Sequence, residues 1–334
     1  MNMVDMIIRK TRAKIVQCIR SFFIDRGYLE VDTPLLSAFL IPEGHLEVFR
    51  TRFESPVDSP RDLYLVPSPE LWMKRLLAEG SGSIFQICKS FRNREPLSAL
   101  HNPEFTMLEW YSVGADYLDS VKVLEALFVS LFRRLGESPI REYRSERLDC
   151  SPPFLRLSMD EAFARWLGKP LGELTGFRAM RAAAENRGLV CTEADRWEDL
   201  FHKVFLAFVE PELPRDRAVV LYDYPSRIPT LARRRAGTPW SERWELYLAG
   251  VELANCYSEE TDPERIEAFF RTQEGLKRQA AVPHPSDREL LRILRRTGLP
   301  KCSGVALGLD RLLLVLLGRE SLRELLPYSR EVYP

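Results

Sequence analysis

Three observations predict an α+β fold built on an antiparallel sheet flanked by helices. The pattern along the 334 residues runs helix, strands, a block of helices, strands and a closing helix, which is not a regular strand–helix alternation. A strand-like run begins at Phe91, a polar loop from Glu95 to Ser98 breaks it, and Phe105, Met107 and Trp110 resume it, as two strands joined by a loop would. No repeat, low-complexity tract or long linker interrupts the chain, which could be one large domain or two small ones, with a mainly helical block expected at about 115–211.

The elements follow in order. Ile8, Ile15, Ile19 and Phe22 fall on one face of a helix over 4–26, and Gly27 stops it. Tyr28, Leu29 and Val31 lead into Thr33-Pro34, where proline forces an extended turn. Residues 62–67 read as a strand. Ser68 then caps a helix with Pro69 in its first position, and Leu71, Met73, Leu76 and Leu77 supply the apolar face. Residues 115–136 and 158–211 are helical by period, with a capping box from Ser158 to Glu161. Trp197, Leu200, Phe201, Val204, Phe205 and Phe208 trace one stripe, which core packing explains better than a cofactor does. Residues 217–225, 243–257 and 303–309 return to strands, and Asp310–Gly318 opens the last helix.

Composition narrows the function classes. Forty-eight basic and 48 acidic residues cancel, with a pI near 6.9, whereas RNA-binding chains usually carry a basic field. The basic runs Lys277-Arg278 and Arg233-Arg234-Arg235 are short and read as solvated surface. Six cysteines without a C-x-x-C pair read as reduced thiols, and no apolar run reaches membrane-span length, so a cytoplasmic protein is expected.

The hairpin carries the chemistry. Arg92, Asn93 and Asn102, with Glu104 and Glu109, set a fixed cation, amides and carboxylates on two strands. A planar, always-charged guanidinium at a strand end suits a phosphate. The plainer alternative is a half-buried hairpin with surface ion pairs. Phe91-Arg92 and the run His101–Tyr111 resemble motif 2 of class II aminoacyl-tRNA synthetases of the lysyl type. Phe22–Leu36 resembles motif 1, and Gly304–Leu314 resembles motif 3. Three ordered motifs over nearly the whole chain are specific where one would not be.

The resemblance implies a single class II synthetase-like catalytic domain over 1–334, with a mainly helical insertion at about 115–211, that uses ATP and Mg2+ and pairs with a second copy through the motif 1 region, residues 4–36. It implies that Arg92 holds the α-phosphate and the incoming carboxylate, and that Arg311 meets the γ-phosphate. On spacing alone Arg311 would pair with Asp310. Asn93, Glu95, Asn102, Glu252, Leu253 and Gly308 complete the implied nucleotide site. This chain has Arg94 where motif 2 usually has glutamate, so either Glu95 reaches the adenine through a bulge or that contact is absent. Glu252 and Glu259 match the family strand G-x-E-[LI]-[AG]-N-G-[FY]-x-E, with Cys256 in the glycine's place, and are the implied metal ligands. Seven residues apart they would face opposite ways on an ideal strand, so a bulge or turn near Asn255 is required if both face one metal. Without the match they read as solvent-facing glutamates of an edge strand.

Ser68, Pro69 and Glu70 match an S-P-E triplet, and Glu109 and Tyr111 match residues lining a lysine side-chain pocket. A buried ammonium needs a carboxylate partner, for which Glu109 is the candidate. Glu259 joins these as a substrate contact. Ala306 stands where lysyl synthetases usually have glycine. Motif 1 starts about twenty residues in, without room for an anticodon-binding barrel. This layout resembles the elongation factor P–(R)-β-lysine ligase family, which aminoacylates a protein lysine and not tRNA. The expected function is therefore activation of (R)-β-lysine, or a lysine-like amino acid, as an adenylate, with transfer to a lysine of elongation factor P. An adenylating ligase for another amine acceptor and a non-catalytic paralogue that senses amino acid or nucleotide are the alternatives.

Overall fold

A computed structural model of the protein describes residues 3–328 and 332. In chain order α1 (Met3–Ile24), β1 (Leu29–Glu30), β2 (Leu36–Ser37), β3 (Arg50–Phe53), β4 (Arg61–Leu65) and α2 (Glu70–Ala78) lead to the hairpin β5 (Ile84–Phe91) and β6 (Glu104–Val113). Then come α3 (Tyr117–Leu135), β7 (Ile140–Tyr143), β8 (Glu146–Asp149), β9 (Leu155–Ser158), α4 (Met159–Leu167), α5 (Phe177–Asn186) and α6 (Trp197–Val204). The chain closes with β10 (Ala218–Pro225), β11 (Trp240–Leu248), β12 (Val251–Ser258), α7 (Pro263–Lys277), α8 (Arg288–Thr297), β13 (Cys302–Gly308), α9 (Leu309–Leu316) and α10 (Leu322–Leu325).

Eight strands form one sheet in the order β1-β5-β6-β13-β12-β11-β10-β9, antiparallel except at the outer pairs β1–β5 and β9–β10. The fold class is thus the mixed α+β one expected. The two-residue period of a strand sorts side chains into a core row and a site row. Leu108 and Trp110 of β6, Val305 and Leu307 of β13 and Trp244 and Leu246 of β11 join Ile15, Ile19, Phe22 and Phe23 of α1 and Leu124 and Phe128 of α3 in one core. The alternate residues, among them Met107, Glu109, Tyr111, Gly304 and Ala306, line clefts on the other face. There α2, α7, α8 and the small sheet β2-β4-β3 build a second core around Leu71, Met73, Phe270 and Leu290. The Trp197 stripe packs with Phe163, Val219 and Leu221 in a third.

Several expectations need correction. Phe91 closes a strand and does not open one, because Ile84–Phe91 already pairs residue by residue with Tyr111–Glu104. Residues 243–257 are two strands, since Ala249 and Gly250 both adopt positive φ (54° and 75°) and reverse the chain in a tight turn. The stretch 158–211 is broken into α4–α6 and short irregular turns, and the strands β7–β9 precede it. The first helix after the S-P-E triplet starts one residue late: Pro69 is its N-cap, and Ser68 Oγ accepts the Glu70 amide at 3.0 Å from one place further back. Lys277 is buried and not solvated, with its ammonium donating to the Leu46 carbonyl. Arg233 and Arg235 do not stand free either, for they pair with Glu242 and Asp223.

Candidate active site

Two connected clefts lie on the site face, one of about 660 Å3 and one of about 1230 Å3. Arg92, Glu95, Met107, Asn255 and Ala306 line both and so form the junction.

The first cleft holds cations and a flat apolar wall. The Arg92 side chain crosses the Phe105 ring, 5.3 Å from its centroid, and its buried Nε has no hydrogen-bond partner among the described residues. No carboxylate there comes within ion-pair distance of it, so the charge is available to an anion. Arg311 is held differently. Its guanidinium donates to the carbonyls of Leu100 (3.1 Å) and Glu252 (3.0 Å) and to His101 Nε2 (2.8 Å). Asp310 is not its partner; that carboxylate takes Arg12 and the Thr106 amide instead. Burial and the Arg311 charge both lower the His101 pKa, which leaves the ring neutral to accept that bond. Asn102, Leu253 and Gly308 also line this cleft.

The motif 2 departure has a local explanation. Arg94 adopts φ +59° with its side chain exposed, and Glu95 lines both clefts. The left-handed residue thus works as the bulge that turns Glu95 inward. Asn93 lies outside both clefts. Its amide donates to the Val48 carbonyl and accepts from the Arg94 N–H, so it ties two loops together.

A bulge does occur in β12, at Leu253 and thus before Asn255: Leu246 pairs with Ala254, while Tyr247 pairs with Glu252. Glu252 and Asn255 therefore share the cleft face with Glu259. Among the described residues no cluster of three or more His, Cys, Asp or Glu could hold a metal alone. Glu252 is nevertheless a hard donor at the cleft, 40% exposed. That fits Mg2+, which draws most of its oxygens from phosphate and water.

The second cleft is acidic. Glu43, Glu70, Glu95, Glu109 and Glu259 line it, and Arg92 is its single Arg or Lys. Glu109 is buried and accepts from Tyr111 OH at 2.9 Å and Ser68 Oγ at 3.1 Å. Burial, with Glu70 nearby, pushes its carboxyl up to about 8. Lys74 lies behind the wall, 2.6 Å from Glu70 and 2.8 Å from Glu259. Burial pushes Glu259 up to about 7 although Lys74 opposes it. Gly304 is required here, because a methyl at that position would overlap both the Glu259 carboxylate and the Tyr111 ring. Pro69 stays outside the lining, at the end of α2.

Sequence reasoning passed over Lys74, Glu43, Phe105 and Asn255. Lys74 had a signal, one helical turn after Glu70. Glu43 had none, since its loop carries no periodic pattern.

A family model described as tRNA synthetases class II (D, K and N) matches residues 3–332. A curated relative, the elongation factor P–(R)-β-lysine ligase of Mannheimia succiniciproducens, is 38% identical over 323 residues, which span 96% of this chain and 94% of that protein.

Proposed function

As this chain belongs to the class II tRNA synthetases of the D, K and N group, and within it to the elongation factor P–(R)-β-lysine ligase family, we propose that it joins a lysine-like amino acid to elongation factor P at the expense of ATP. The observation that carries the reading is the acidic second cleft meeting the unpaired Arg92 at its junction with the first. A diamino acid brings two ammonium groups to carboxylates and one carboxylate to a guanidinium, which is this cleft's charge pattern in reverse.

In the first half-reaction a carboxylate oxygen of the amino acid attacks the α-phosphorus of ATP and pyrophosphate leaves. Arg92 would stabilise the charge on phosphorus, and Arg311, fixed by three hydrogen bonds, would meet the outer phosphates. In the second, a lysine amine of the acceptor attacks the acyl carbon and AMP leaves. Mg2+ held by Glu252, with Glu259 on the same face, would neutralise phosphate charge. Ser68, Glu70, Glu109, Tyr111 and Glu259 would hold the amino acid, with Ala306 beside its carboxylate; Glu95, Asn102, Leu253 and Gly308 would hold the nucleotide. Positioning and charge suffice without a side-chain nucleophile.

The same reading includes a single catalytic domain, location in the cytoplasm, no charging of tRNA and a homodimer through residues 4–36. Ile7, Ile24, Leu29 and Leu36 are large apolar side chains left exposed on that segment, and among the described residues no helix is long and apolar enough to cross a membrane. A monomer in light scattering at micromolar concentration contradicts the dimer, and robust charging of lysine tRNA at physiological salt contradicts the protein acceptor. The central test is intact-mass analysis of elongation factor P after incubation with enzyme, ATP and each lysine isomer. A mass increase of one lysyl residue with at least one isomer is expected. If no isomer adds mass or supports pyrophosphate exchange, the ligase reading is rejected.

A further inference from the structure

The acidic cleft holds one carboxylate that neither the motifs nor the relatives account for. Glu43 belongs to a loop between β2 and β3, and among the described residues no side chain or backbone amide donates to its carboxylate or pairs with it. Of the other glutamates lining this cleft, Glu109 has Ser68 and Tyr111, Glu70 and Glu259 share Lys74, and Glu95 lies 3.8 Å from His101 Nε2. The Glu43 side chain is half-buried in the cleft, and its desolvation there, with Glu70 nearby, pushes the carboxyl up to about 7.

The loop cannot easily turn Glu43 away. The Gly44 amide donates to Gln273 Oε1 at 2.8 Å, and Lys277 donates to the Leu46 carbonyl. Glu47 accepts the amides of Ala281 and Val282 at 2.9 and 3.2 Å. Gly44 lies so close to α7 that a Cβ would stand 2.7 Å from Leu276 Cβ. Four fastenings thus hold a short segment whose exceptional residue is a carboxyl that lines the acidic cleft without a partner among the described residues.

Its position along the cleft decides which group it would meet. The loop that carries Glu43 is fastened next to Arg92, because Glu47 bridges Asn93 and the Asn93 side chain donates to the Val48 carbonyl at 3.3 Å, whereas Glu109 is tied to Ser68 and Tyr111 and Glu259 to Lys74. Glu43 therefore lies toward the Arg92 end, where the reacting carboxylate must sit, and Glu109 lies at the far end.

We propose that Glu43 is a specificity-determining residue that receives the amino group nearest the substrate's carboxylate, while Glu109 receives the distal one. This rests on the ligase reading for the identity of the substrate as a diamino acid. The loop's fastenings then fix how far that amine stands from Arg92, which is the distance in which α- and β-amino acids differ.

The test is calorimetric binding of (R)-β-lysine and of 6-aminohexanoate to the full-length enzyme and to Glu43→Gln and Glu43→Asp variants. The second ligand keeps the distal amine and the carboxylate but lacks the nearer amine. Glu43→Gln should weaken (R)-β-lysine about tenfold or more, as loss of a charged partner does, and leave 6-aminohexanoate within about twofold. Glu43→Asp should recover part of the loss. Melting of the ligand-free Glu43→Gln protein should be unchanged or higher, because an unpaired anion has been removed. Unchanged (R)-β-lysine binding, or an equal loss for both ligands, overturns the proposal. Mass addition to elongation factor P by the unaltered enzyme tests the ligase reading separately.

Discussion

Lys74 sits between two carboxylates that reach it from different elements, and its ammonium lies 2.8 Å from Glu259 at the end of β12. Its other neighbour, Glu70, is one turn earlier on the same helix at 2.6 Å. Lys74 and Glu259 are both nearly inaccessible to solvent, so removing the cation leaves buried negative charge without compensation. Lys74→Met should therefore destabilise the protein by about 3–5 kcal/mol at pH 8. Urea unfolding measures it. The deficit should shrink toward pH 6, where Glu259 takes up a proton. A loss under about 1 kcal/mol would place the pair among weak surface bridges.

The carboxylates of the acidic cleft set a pH dependence. Glu109 is pushed up to about 8 and Glu259 to about 7, against 4.5 in an unfolded chain. Between 4.5 and those values the folded protein holds protons that the unfolded chain has released. These groups therefore lower ligand-free stability as pH rises through that window, add nothing below it, and impose a constant cost above it. A bound ammonium favours the ionised form, so a diamino substrate should bind more tightly from pH 6 to pH 8 and release protons as it binds. Calorimetry at pH 7 in buffers of different ionisation enthalpy reads that release directly. Zero release would mean that these carboxylates are already ionised.

Gly304 faces Tyr111 across the β6–β13 pairing. Gly304→Ala forces the Glu259 carboxylate and the Tyr111 ring apart. Overpacking of this kind costs about 1–3 kcal/mol. Because the displaced groups line the acidic cleft proposed to hold the amino acid, pyrophosphate exchange should suffer through KM for the amino acid more than through KM for ATP. An alanine variant with normal KM for both would show that the cleft tolerates the methyl.

Much of this was legible in the sequence because strand parity is legible. Once β6 and β13 are strands, Leu108 and Trp110 must face one side, and Glu109 and Tyr111 the other. The ordered motifs then brought Arg92, Glu109, Glu252, Glu259 and Arg311 to one face, where the structure places them. What escaped had no local code. The Ala249-Gly250 turn was hidden because apolar residues continue on both sides of it. The Leu253 bulge depends on pairing with Leu246 and Tyr247, which single-strand periodicity does not contain. Lys277 looked like surface charge because its acceptor, the Leu46 carbonyl, is far away in sequence.

Ala306 carries the last prediction. It pairs with Glu109 on one side and Asn255 on the other, and it lines both clefts beside Arg92 and Met107. Its methyl thus lies at the junction of the two clefts, where on the proposed reading the substrate carboxylate would pass toward the nucleotide. The distal ammonium of α- and β-lysine can meet Glu109 alike, so discrimination must arise at this junction. A methyl there is worth about 1–3 kcal/mol, or roughly 10–200-fold. Ala306→Gly should shift the ratio of kcat/KM for (R)-β-lysine over α-lysine toward α-lysine by about tenfold or more, with melting changed little. The decisive measurement is exchange kinetics with both isomers on both proteins. If the unaltered enzyme already prefers α-lysine, the methyl only packs the cleft floor, and selectivity must be sought at Glu43 instead.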